Sequence, residues 1–220
     1  MRFPIITVFA LLVVGAIARF VFVATHPPVD HHLFEYDTIA PIQEQWWLLH
    51  FYGAGFGFIL AFGSLAILTV IACRRARVLA TIGGVIATLG AILTALGFAA
   101  EGVTWAYATD PKVIDPDAGA DLLHNLGEYP AMIDDPILTG FLLIPVGVLL
   151  QLVALWIARA VPRWLVYTTL GVLVLSQLPL PTVVVGVTTA LEALVIIALG
   201  ALATRTTLRS VATPEKLVVP

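Results

Sequence analysis

Charged residues are scarce in this 220-residue chain. They make up 11% of it, against about 25% in an average soluble domain, while 60% of the residues are hydrophobic. A core of this size cannot hide so much apolar side chain from water, so the composition predicts an all-α integral membrane protein with the lipid bilayer as its solvent. The net charge of −3 gives no indication of a nucleic-acid partner.

Cysteine is almost absent, and several motifs are missing. The single Cys73 excludes an internal disulfide and any CxxC zinc or redox motif. Its position at an expected helix end favours a structural role, with palmitoylation as the alternative. The sequence has no Walker loop, no GxSxG elbow and no lysine inside a span, and bis-histidine haem ligation would need more intramembrane histidines than His50. The sequence therefore does not identify a cofactor.

Long apolar runs predict six transmembrane helices in one domain, residues 1–204, followed by a cytoplasmic tail, 205–220. The predicted spans, segments one to six, are 4–24, 46–73, 77–107, 136–158, 164–178 and 182–202. Gly15-Ala16-Ile17-Ala18 resembles a signal-peptide cleavage site, but the apolar run continues beyond it. We therefore expect segment one to be a retained membrane helix.

The two long polar stretches are expected to be outer loops. Pro27, Pro28 and Pro41 predict a loop between segments one and two. The stretch 109–135 is strongly acidic, and residues 117–127 within it are expected to form a short helix at the membrane surface.

Positive charge is asymmetric along the chain. Nine of the eleven Lys and Arg fall on one side of a six-span arrangement: Arg2, Arg74, Arg75, Arg77, Arg159, Arg163, Arg205, Arg209 and Lys216. The positive-inside rule makes this side cytoplasmic. The protein is then expected in the cell membrane, with both termini in the cytoplasm and the acidic loops outside the cell.

Segment three carries a face of small residues that ends in an acid. Steps of three and four residues place its members on one side of a helix: Ala76, Ala80, Gly83, Ala87, Gly90, Thr94, Gly97 and Glu101. Small residues allow a neighbouring helix to come close. The same spacing on segment two gives a second small-residue face: His50, Gly53, Gly57, Ala61 and Ser64.

Counting residues from the basic turn gives the depth of these polar groups. His50 lies 23 residues above Cys73 and Glu101 lies 24 above Arg77, so both are about 35 Å from the inner boundary. Because segments two and three should pack as a hairpin, we predict that His50 and Glu101 are neighbours. Arg19 either joins them as a third member or extends to the outer headgroups.

Two further groups of polar residues are candidates. Glu192 and Gln177 are expected at similar depth in segments six and five, as a deeper polar station or as a hydrogen-bonded structural pair. The histidines expected in the outer loops are weak candidates for a divalent metal site, and ordinary solvated side chains are the alternative: His26, His31, His32 and His124.

Three functions are compatible with these features. The favoured one is binding or translocation of a small ligand or a proton through a polar pocket open to the outer face, using His50, Glu101 and Arg19 with Glu192 and Gln177 deeper. The alternatives are an outer-face enzyme or a metal- or haem-binding protein, and an accessory subunit whose small-residue faces dock partner helices. A cation ligand, a homo-oligomer or a partner in a membrane complex is compatible with these hypotheses.

Overall fold

The computed structural model describes residues 2–26, 35–129, 131–178 and 182–212. Within these residues the chain forms seven helices, with these bounds: α1 Arg2–Thr25, α2 Tyr36–Ala72, α3 Arg77–Ala108, α4 Pro116–Glu128, α5 Ala131–Ala158, α6 Arg163–Leu175 and α7 Thr182–Ala212. Helix α2 is irregular, because it contains a 3₁₀ turn at Ala40–Ile42 and a π-helical segment at Leu49–Phe56.

Five of these helices, α1, α2, α3, α5 and α7, are long and apolar enough to cross a membrane. They also expose large apolar side chains, such as Phe3, Val78 and Leu142, which are stable only against lipid or a partner surface. Helix α6 is apolar but has 13 residues, about 20 Å, against about 30 Å of hydrocarbon. The chain is thus an all-helical protein with the helices of a multi-pass membrane protein.

Six helices lie where spans were expected, five of them are long enough to cross a membrane, and their ends differ from the expected ones. Helix α3 matches its prediction to within one residue, whereas α5 begins five residues early, at Ala131. Helix α6 ends at Leu175 instead of 178. Helix α7 runs to Ala212, so Arg205 and Arg209, expected in the tail after segment six, lie on this helix, and residues 213–220 of the expected tail lie outside the described residues.

The expected loop before segment two is wrong for residues 36–45, which belong to α2. Pro41 lies in the first turn of the 3₁₀ segment, where its missing N–H breaks no helical hydrogen bond. The expected short helix at 117–127 is confirmed as α4. Its N-cap is Asp115, whose carboxylate accepts the N–H of Asp117 at 3.0 Å.

The small-residue face of α3 packs against α5. A methyl group added at Gly83 would lie 2.7 Å from the carbonyl oxygen of Gly147, and one at Gly90 would lie 2.9 Å from that of Gly140. The two backbones therefore touch along this face. The hairpin of segments two and three therefore does not bring their two small-residue faces together.

The small-residue face of α2 packs against α1. A methyl group at Gly57 would lie 2.9 Å from the backbone nitrogen of Arg19, and one at Gly53 would lie 3.0 Å from Cβ of Phe22. Both small-residue faces are thus occupied within the chain, so a partner helix would need another surface.

We expect Gly90→Ala to lower the free energy of unfolding by about 1–3 kcal/mol, because the added methyl group overpacks the α3–α5 contact. Gly63→Ala is the matched control, since a methyl group there meets nothing within 4 Å. Unfolding in mixed micelles measures both variants. Equal stabilities of the two variants would contradict the close packing of α3 on α5.

The bundle has two chemically different ends. The end of α1, the start of α2 and the end of α3 meet at the histidine end, which holds His26, His50 and Glu101. The opposite arginine end collects these arginines: Arg2, Arg74, Arg75, Arg77, Arg159, Arg163, Arg205 and Arg209. Cys73 is buried there between α2 and α3. Burial raises the pKa of its thiol to about 11, which disfavours reaction at this residue.

Candidate functional site

His50 is fully buried and held in one orientation by its own helix. Its Nδ1 lies 2.8 Å from the backbone carbonyl oxygen of Trp46. A carbonyl only accepts, so Nδ1 carries the hydrogen and donates it. In the neutral ring, Nε2 is then left with a free lone pair. A backbone carbonyl that fixes the tautomer in this way is typical of metal-binding histidines.

The helix around His50 is a π-helical segment, Leu49–Phe56, that contains Gly53 and Gly55. A π segment has i→i+5 in place of i→i+4 hydrogen bonds and is frequent at functional sites. The indole of Trp46 stacks on the imidazole of His50, with ring centroids 4.2 Å apart. The carbonyl and the indole of Trp46 together restrict the rotation of the imidazole.

Two other ligand-type side chains lie next to Nε2 of His50. Nε2 of His26 is 3.3 Å away, and Oε1 of Glu101 is 3.7 Å away. The ligand atoms of the three residues all lie within 4.8 Å of one another. The prediction that His50 and Glu101 are neighbours is therefore confirmed, and His26 is the third member of the cluster.

Gly102 lets α3 approach the histidine this closely. A methyl group at position 102 would lie 2.5 Å from Cβ of His50. The missing side chain of Gly102 thus brings the adjacent Glu101 within reach of the imidazole. The contact depends on this glycine, and not on the small-residue face of α3, which faces α5.

Two of the three separations in the cluster are close to those between the ligands of a tetrahedral metal ion. Zn–N and Zn–O bonds of about 2.0–2.2 Å at tetrahedral angles separate neighbouring ligand atoms by about 3.3–3.6 Å. The two distances from His50, 3.3 and 3.7 Å, lie at or next to this range. At 3.7 Å the histidine–glutamate contact is too long for a direct hydrogen bond.

Aromatic rings enclose the cluster. The ring of Phe22 lies edge-on to both imidazoles, with centroids 5.0 Å from His26 and 5.2 Å from His50, and Phe98 packs on another side of His50. The half-buried Asp134 of α5 acts electrostatically on Glu101. The cluster is therefore a polar site with apolar walls and a nearby second carboxylate that favours a cation.

Arg19 does not join the cluster, and this prediction is wrong. Its Nη2 donates to Oε2 of Glu192 at 2.6 Å, and both side chains are buried. The guanidinium also lies over the rings of Phe58 and Phe62, 5.0 and 5.4 Å from their centroids. It therefore does not extend to the headgroups either.

The depths of Arg19 and Glu192 in the bundle explain why these two residues pair. Arg19 lies 17 residues above Arg2 and Glu192 lies 13 above Arg205, a difference of about 6 Å that a long arginine side chain can span. Arg19 is about 10 Å below the level of Glu101. The pairing of the two charges also removes the structural alternative in which Glu192 bonds to Gln177.

Gln177 lines the same cavity as Arg19 and Glu192, a space of about 320 Å³ at the end of α6. Its side-chain amide donates to Ser176 at 3.4 Å and is exposed. The prediction that Gln177 and Glu192 lie at similar depth is thus supported, while direct pairing is not observed.

The other histidines do not reinforce the site. His124 is exposed on α4, and the only metal-type cluster among the described residues consists of His26, His50 and Glu101. His31 and His32 lie outside the described residues. Sequence reasoning placed His26 in a loop, although it lies 24 residues above Arg2, as far as Glu101 lies above Arg77. This equal count is the signal that would have identified it.

Comparisons of the chain with protein-family models, with curated proteins and with solved structures returned no match. The geometry of the described side chains therefore carries the functional argument.

Proposed function

We propose that this chain is a multi-pass membrane protein that binds a divalent transition-metal ion between His26, His50 and Glu101. One observation carries the proposal: three ligand atoms converge within 4.8 Å, and the central one is the Nε2 of a histidine whose Nδ1 is anchored to a carbonyl. The small ligand expected in the polar pocket is then a metal ion.

The ligand types narrow the choice of metal. Two imidazoles and a carboxylate suit Zn²⁺, Fe²⁺, Co²⁺ or Ni²⁺ better than Mg²⁺ or Ca²⁺, which prefer oxygen ligands. Three protein ligands leave a fourth tetrahedral position for water or another molecule. Binding of a further small molecule at this position is compatible with the outer-face enzyme hypothesis.

The proposed topology puts this site on the outside of the cell. Six spans, with α6 as the short one, place the arginine end and both termini in the cytoplasm. The histidine end then faces outward beside the acidic stretch 109–135, which attracts cations toward the site. In this arrangement the metal ion enters from the outer face of the cell membrane.

Proton binding is the second candidate function, and the 3.3 Å contact between the two Nε2 atoms favours it. One ring must donate a hydrogen and the other accept it, so the pair can hold a shared proton. The buried Arg19–Glu192 pair would be a deeper station on a translocation route. Titration with Zn²⁺ and measurement of proton uptake discriminate between the two: one bound equivalent of Zn²⁺ supports the metal site, whereas proton uptake by the cluster without binding of Zn²⁺ supports the proton site.

Calorimetric titration of the chelator-treated protein in nanodiscs with Zn²⁺ tests the proposal. We expect one equivalent to bind, and Glu101→Gln or His26→Ala to weaken binding by about 10–100-fold or more, since each removes one ligand. His124→Ala is the matched control, because this exposed histidine lies outside the cluster. If Glu101→Gln, His26→Ala and His124→Ala weakened the binding of Zn²⁺ equally, the proposed site would be contradicted.

A further inference from the structure

We propose that the arginine end binds the phosphate of an anionic phospholipid in a cleft between the start of α1 and the end of α7. This site lies at the opposite end of the bundle from the histidine cluster. The inference does not depend on metal binding.

The cleft combines three cations with an apolar wall. Its volume is about 500 Å³, and the guanidinium groups come from Arg2, Arg205 and Arg209. Arg205 and Arg209 are four residues apart, so they share one face of α7. None of the described residues that line the cleft is acidic. Arginine is well suited to such a ligand, because its planar donors match the oxygens of a phosphate.

Thr204 supplies an additional donor. Its side chain is 7% exposed and lines the cleft, and its hydroxyl has no hydrogen-bond partner among the described residues. Threonines in helices commonly bond to the carbonyl four residues back, as the nearby Thr207 does to Ala203 at 2.9 Å. The hydroxyl of Thr204 is thus a buried polar group that a phosphate oxygen would satisfy.

The apolar wall favours a lipid over free phosphate. Ile6 and Ala201 line the cleft one helical turn from Arg2 and Arg205 toward the middle of their helices, Leu208 lies between Arg205 and Arg209, and Ile6 is half exposed. Acyl chains can lie along these side chains while the phosphate stays at the level of the arginines. Basic pockets at the ends of membrane helices are known to select anionic headgroups in this way.

Native mass spectrometry of the detergent-solubilised protein, titrated with phosphatidylglycerol or phosphatidylcholine of the same acyl chains, tests this site. We expect phosphatidylglycerol to bind at least about 10-fold more tightly. Arg205→Gln with Arg209→Gln is expected to weaken its binding by about 30-fold, from about 1 kcal/mol for each arginine. The control is Arg75→Gln with Arg77→Gln, which removes equal charge from the same end.

A milder variant keeps the proposal testable if the arginine variants do not fold. Thr204→Val preserves shape but removes the hydroxyl, and we expect about 10-fold weaker binding of phosphatidylglycerol from the loss of one bond to a charged group. Equal losses of affinity for phosphatidylglycerol in the two double arginine variants would overturn the proposal. So would unchanged binding in Thr204→Val, or displacement of the lipid by an equal concentration of glycerol phosphate.

Discussion

Replacing His50 by alanine is expected to lower the affinity for Zn²⁺ by at least about 100-fold. Of the three proposed ligands, His50 is the one whose lone pair is oriented in advance, by the carbonyl of Trp46 at 2.8 Å and by the stacked indole. Loss of an outer-shell partner alone typically costs about 10–100-fold, so loss of the ligand itself should cost more. Calorimetric titration in nanodiscs measures the change.

Two controls separate ligand loss from misfolding in this variant. His50 is fully buried, so alanine leaves a cavity, and thermal unfolding must be recorded beside binding. Added imidazole should enter that cavity and restore part of the affinity for Zn²⁺, compared with the unmodified protein at the same imidazole concentration. A His50→Ala protein that binds Zn²⁺ as tightly as the original would show that the histidine is not a ligand.

The second large effect is expected at the deeper ion pair. Arg19→Met should lower the free energy of unfolding by about 3–5 kcal/mol, because Glu192 is left as an unpaired charge in a buried site. The double variant Arg19→Met with Glu192→Leu should recover most of this loss, since apolar pairs of similar volume commonly replace buried ion pairs without penalty. Unfolding in mixed micelles measures both proteins.

Gln177→Leu serves as the comparison for these variants. Gln177 lines the same cavity but bonds to Ser176 and not to either charge, so its replacement should change the free energy of unfolding by less than about 0.5 kcal/mol. The single variant Glu192→Leu completes the comparison. If the double variant lost as much free energy of unfolding as Arg19→Met and Glu192→Leu lose together, Arg19 and Glu192 would not interact.

Depth counting predicted the most important contact at the site. Helices that start at one boundary rise about 1.5 Å per residue, so equal residue counts put His50 and Glu101 at equal height. Equal height does not depend on which faces touch. The contact forms although the two small-residue faces pack on other helices, because a short turn of arginines fixes the relative height of α2 and α3.

The sequence does not show which helix packs on each small-residue face. A small-residue face shows that some backbone comes close, but not which one. Several helices carry glycines at suitable spacing, and the helix that packs on α3 follows a long acidic connection. The close approach at Gly102, one position away from the small-residue face, follows only from the final packing.

His26 was missed as a member of the cluster because the predicted end of α1 was placed too early. Gly15, Arg19, Phe22 and His26 follow steps of four, three and four residues, the same spacing that identified the faces of α2 and α3. Ending the helix at residue 24 assigned His26 to the loop histidines. The last backbone bond of the helix, from the N–H of His26 to Phe22, includes it.

The π-helical segment of α2 was not predictable either. Its sequence, Leu49–Phe56, has the composition of an ordinary apolar helix with two glycines. The shift in hydrogen bonding changes which side chains face α1 and α3, and tertiary packing decides whether it occurs. The anchored orientation of His50 therefore had to be observed in the structure.

The X-ray absorption spectrum of the Zn²⁺-loaded protein tests the central claim most directly. If His26, His50 and Glu101 hold the ion, the spectrum will show four nitrogen or oxygen neighbours at about 2.0–2.1 Å, with the scattering pattern of two imidazoles. In His50→Ala the imidazole scattering should fall to that of one ring. A spectrum of six oxygen neighbours without imidazole scattering, or loss of all zinc on dialysis, would contradict the account.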